Sequence, residues 1–139
     1  MLLSLKTGKK CLKVRIKLKG RAKQYAQKGV EGLYNRLPKL ENGHAIYKKE
    51  KRPTTVYIWW DPKKKSSRGD DRSHWKVGLK FVEGEFGGLG FLDTYNSQPS
   101  YYNVYGRRNK WSFWHHDLPN GFWMDAAPGD VSVRCVKRG

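Results

Sequence analysis

The chain has 139 residues and sets 29 Lys and Arg against 12 Asp and Glu, a net charge of +17. Hydrophobic residues make up 37%, yet aromatics reach 14%, with six Trp and eight Tyr, which excludes a disordered chain. The length suits one domain with one core, and no apolar run nears the roughly 18 residues of a membrane-spanning helix.

Residues 1–10 form a basic N-terminal extension, and residues 11–139 a single β domain. Leu2, Leu3 and Leu5 make too short an apolar run for a secretory signal, and Lys6 follows them rather than preceding them. From Cys11 to Lys19, apolar Leu12, Val14, Ile16 and Leu18 alternate with Lys13, Arg15, Lys17 and Lys19. Period two predicts a half-buried strand whose outer face is a ladder of cations. Residues 20–32 hold at most a short helical turn, and no acid occurs before Glu31.

Short strands follow at regular spacing. Leu33 to Leu37 lies between Gly32 and Pro38, and Asn42-Gly43 marks a turn before Ala45 to Lys48. Thr54 to Trp60 is β-branched and aromatic on both faces, which predicts the middle of a sheet. Residues 61–74 form a charged loop. Trp75 to Phe81 alternates again, Gly84 to Gly90 is a turn or bulge cluster, and Phe91-Leu92 follows. Lys110 to His115, Gly121 to Met124 and Val131 to Val136 complete the set. The expected fold is all-β: a single antiparallel sandwich or open barrel of about seven or eight short strands, with little helix.

Cys11 and Cys135 form no CxxC and cannot make a zinc site alone. Two readings stay open: two free, partly buried thiols, or a disulfide, which needs the first and last strands to pair and bring the α carbons within about 7 Å. His115 and His116 point to opposite faces of a strand and cannot share one ion. Arg68-Gly69-Asp70 spells an adhesion tripeptide of the kind that recurs by chance. There is no phosphate-binding loop, no dinucleotide fingerprint and no Gly-x-Ser-x-Gly. No catalytic, cofactor-binding or metal-binding residue is nominated, so the expectation is a protein without enzyme activity or cofactor.

One ordered pattern runs through most of the chain. Gly32-Leu33-Tyr34 comes first, then Asn42-Gly43 with Tyr47, Tyr57 to Trp60, Trp75-Lys76-Val77-Gly78 and Gly90-Phe91-Leu92. Pro99, Trp111 or Trp114, Trp123-Met124-Asp125 and Val131-Ser132-Val133 complete it. This resembles a Trp- and Gly-punctuated β-module common in dinoflagellate and other alveolate proteins. Ala45 stands where the module has a proline, and residues 61–74 look like an insertion. The resemblance implies a β fold, no activity of its own and a role as an interaction unit.

Charge is the remaining functional signal. Lys13, Arg15, Lys17 and Lys19, with Arg21 and Lys23 beyond them, are expected to form the main partner-binding surface. The expected function is that of an accessory subunit docked on the acidic surface of a larger complex. The resemblance points to an organelle, with a plastid photosystem ahead of a mitochondrial complex, and to a place at most peripheral to the membrane. The competing class is a ribosome- or RNA-associated protein, for which basic charge interleaved with aromatics is suitable.

Overall fold

The computed structural model describes residues 10–26, 28–41, 43–50, 55–65, 71–78, 90–94, 104–106, 109–115 and 122–139. The chain is all-β, as expected, with nine short strands among the described residues. The first, β1 (Cys11–Leu18), buries Val14, Ile16 and Leu18 and exposes Arg15 and Lys17. Its alternation does not reach Leu12. The register shifts on both sides of Lys13, so Cys11 is buried while Leu12 is only half-buried. A bulge reverses the facing of the residues beyond it, and Cys11 therefore takes the core place expected for Leu12.

After β1 comes the short helix α1 (Gly20–Tyr25), which Gly20 enters at a φ of 56°, and a 3-10 turn at Lys28–Val30. Strand β2 (Gly32–Glu41) pairs with β3 (His44–Lys49) and runs past the expected end at Pro38. Pro38 lies inside a register shift between Arg36 and Leu40. A proline is tolerated where the ladder is already interrupted.

The expected charged loop at 61–74 is corrected by the next two strands. β4 (Tyr57–Lys65) and β5 (Asp71–Gly78) carry most of it as the arms of one antiparallel ladder. Trp59 and Trp60 lie opposite Lys76 and Trp75, and the ladder continues outward to Lys65 opposite Asp71. Backbone groups make those bonds, so charged side chains do not stop them. Pro62 again falls in a register shift, between Asp61 and Lys64. The remaining strands are β6 (Gly90–Thr94), β7 (Trp111–His115), β8 (Phe122–Asp125) and β9 (Val131–Arg138).

The strand order is β8-β7-β6-β5-β4-β3-β2-β1-β9, and every pairing is antiparallel. β4 is thus the central strand, as its two apolar faces required. Six of the strands curl into a half-barrel, so of sandwich and open barrel it is the open barrel that the fold approaches. The concave side holds one core cluster drawn from both ends of the order, from Val14 and Ile16 of β1 to Trp111 and Phe113 of β7. Helix α1 bridges the curl: Tyr25 stacks on His115 of β7, with ring centroids 4.2 Å apart.

The first and last strands pair through Val14–Cys135 to Leu18–Val131. Cys11 and Cys135 are joined in a disulfide, with α carbons 5.8 Å apart. The buried Tyr47 hydroxyl donates to the Cys11 carbonyl at 2.9 Å, which ties β3 to the start of β1 across β2. Burial pushes the Tyr47 phenol above its ordinary pKa, so it stays a donor at neutral pH.

Candidate docking surface

The outer face of β1 places the expected cations side by side. Arg15, Lys17 and Lys19 are exposed, as are Arg21 and Lys23 on α1. Lys13 departs from the expected ladder of unpaired charge. It is half-buried, and its Nζ lies 3.1 Å from Glu50 Oε2. Lys23 also has a carboxylate, with its Nζ 2.5 Å from Glu31 Oε1. The other oxygen of Glu31 accepts from the Leu18 backbone N–H at 3.2 Å. Partial burial works to raise the Glu31 pKa, but the bonds from Lys23 and Leu18 and the nearby Lys17 outweigh it, and the value is lowered.

Pairing enlarges the patch beyond β1. Arg15 lies directly opposite Arg134, and Lys13 opposite Lys137. On the other side Lys13 faces Asn35, which faces Lys48. Arg134, Lys137 and Lys48 are all exposed. One basic surface thus spans the outer sides of β9, β1 and β3. Only the alternation of β1 was legible beforehand. Arg134 and Lys137 join the surface because the two ends of the chain are neighbours, and no local spacing signals that.

Among the described aromatic residues, half-buried Tyr57 borders this surface, directly opposite Lys48. Trp59, Trp60, Trp75 and Trp111 are buried, and half-buried Trp114 and Trp123 pack edge to face at 5.6 Å. The four buried rings, enclosed by protein, have no free face on which a base could stack.

His115 is buried against Tyr25, and His44 packs against Trp60 and Trp75. Among the described residues no three His, Cys, Asp or Glu side chains gather as a metal site. A partly open pocket of about 330 Å³ is lined by Arg36, His44, Tyr47, Trp75 and Tyr105, with others. His116, the Arg68-Gly69-Asp70 tripeptide, the glycines from Gly84 to Gly88 and the Pro99 segment lie outside the described residues. No helix among those residues is long and apolar enough to cross a membrane. No family model, curated protein or solved structure matches this chain.

Proposed function

We propose that this protein is a non-catalytic accessory subunit that docks on the acidic surface of a larger assembly through the outer face of β1 and β9. The observation that carries this reading is the placement of Arg15 opposite Arg134, beside exposed Lys17 and Lys19. Like charges directly opposite in a sheet repel, and an acidic partner face removes that cost on docking. Buried disulfide-tied strands hold the cations in fixed positions from behind, so little order is lost when a partner binds. The burial of Trp59, Trp60, Trp75 and Trp111, four of the six tryptophans, favours a protein partner over single-stranded nucleic acid. The resemblance of the sequence directs the first search to a plastid membrane complex, and the second to a mitochondrial one.

The experiment is recovery of the tagged protein from a native organellar extract at moderate salt, beside the double variant Arg15→Glu, Lys17→Glu. The wild type brings down a defined protein complex, and the variant, still folded by circular dichroism, does not. Equal recovery with both would show that the basic face is only solvated. Recovery of ribosomes or RNA instead would favour the nucleic-acid reading. The salt dependence of binding should then flatten by about two units of slope for the two lost phosphate contacts.

A further inference from the structure

β9 ends the strand order, with β1 on one side and no described strand on the other. Its free side borders a cleft of about 1060 Å³. The consecutive residues Val131, Ser132, Val133, Arg134 and Cys135 all line that cleft. Successive side chains of a strand point to opposite faces, so a face would supply only alternate residues. A consecutive run means that the edge of the strand, its backbone, borders the space.

Hydrogen-bond phase fixes what that edge presents. The Lys19 N–H donates to the Asp130 carbonyl at 2.8 Å, one step before the Leu18–Val131 pair. The Leu18 N–H points the other way, to the Glu31 carboxylate ahead of β2. Residues of an antiparallel pair alternate between these two states. Ser132 and Arg134 therefore bond to β1. Val131, Val133 and Cys135 turn their N–H and C=O groups toward the cleft. Its lining includes Trp111 and Ala126, and its charged members are Lys110, Arg134 and Arg138, with no Asp or Glu among the described lining.

We propose that the free edge of β9 binds an extended acidic segment of a partner protein, which adds a strand in this cleft. Main-chain bonds to Val131, Val133 and Cys135 hold the segment, and carboxylates on alternate residues meet Arg134 and the cations at the rim. Charge selects this occupant. A second copy paired edge to edge would set Arg134, Lys137 and Arg138 against their own kind. Residues 1–10 of this chain carry Lys6, Lys9 and Lys10 and no carboxylate, so they repeat the charge already present. The inference stands apart from docking through the outer face of β1, because it depends on backbone groups rather than on charge alone.

The test uses a capped eight-residue peptide of alternating Glu and Val, the length of β9, with binding to the full chain followed by fluorescence anisotropy. Two further peptides carry N-methyl groups, one on every Val nitrogen and one on every Glu nitrogen, and a fourth has Lys for Glu. We expect saturable binding of the first peptide and none of the Lys peptide. One methylated peptide loses roughly tenfold or more, as missing main-chain bonds predict. The variant Val131→Pro, at a strand start where proline is tolerated, removes one edge donor without touching the β1 ladder and weakens binding by a similar factor. Should that variant fail to fold, the methylated peptides still decide. Absence of saturable binding, or no loss with either methylated peptide, would overturn the proposal. So would equal binding of the Lys peptide, dimerisation of the chain that Val131→Pro abolishes, or binding that appears only when residues 1–10 are deleted.

Discussion

Arg15 of β1 and Arg134 of β9 lie directly opposite one another on the outer face of the sheet, although 119 positions separate them in sequence, 134 less 15. Two guanidinium groups so placed oppose the pairing of the strands that carry them. The strands pair because the other face buries Val14, Ile16, Leu18 and Val133, and burying each of these side chains contributes about 1.5–3 kcal/mol. That outweighs an exposed charge repulsion of under about 1 kcal/mol.

The first prediction tests that balance. Arg134→Glu turns the opposed pair into an attractive one. Urea unfolding at low salt should show a gain of about 0.5 kcal/mol, the scale of an exposed cross-strand pair. The gain should shrink at high salt, where the charges are screened. A loss of stability would mean that Arg134 has a favourable contact stronger than its repulsion from Arg15.

The second concerns the disulfide, which closes a sequence separation of 124 residues. A cross-link over so long a loop restricts the unfolded chain strongly. Replacing both cysteines, as Cys11→Ser with Cys135→Ser, should cost roughly 3–5 kcal/mol. Reduction of the wild type in urea should give a similar shift. A loss of less than about 1 kcal/mol would show that the unfolded ensemble already keeps the two ends close.

The third concerns the bridge across the curl. Tyr25 on α1 and His115 on β7 stack with an interplanar angle of 19°. A double-mutant cycle of Tyr25→Ala and His115→Ala should give a coupling of about 0.5–1.5 kcal/mol, as for aromatic pairs. Independent effects of the two changes would mean that the helix does not brace the barrel through this contact.

The fourth is a pH dependence. Glu31 has a pKa lowered in the folded state from its ordinary 4.5. Its stabilising contribution is therefore complete above that ordinary value and fades as pH falls through the lowered one. Glu31→Gln should cost about 1 kcal/mol at neutral pH, through the Lys23 and Leu18 bonds. The difference from wild type should close in acid, as followed by urea unfolding over a pH series. A constant difference at all pH values would assign the loss to shape rather than to charge.

The sequence by itself determined the elements and, within them, most of the facing. Alternation is a local property, so Val14, Ile16 and Leu18 could be assigned to the core and Arg15, Lys17 and Lys19 to the outside from their spacing alone. β-branched and aromatic residues on both faces likewise marked Thr54 to Trp60 for the middle of the sheet. What the spacing could not carry was anything that depended on a neighbour. The bulge that exchanged Leu12 for Cys11, the passage of β2 through Pro38 and the extension of β4 and β5 into charged residues all follow from the register of an adjacent strand. The candidate surface divides the same way. Its β1 half was legible, whereas Arg134, Lys137 and the free edge of β9 were placed only when the last strand paired with the first. Pairing between distant segments is decided by burying a shared core and by backbone bonds that any residue but proline can make, and neither leaves a mark on the local order of residues.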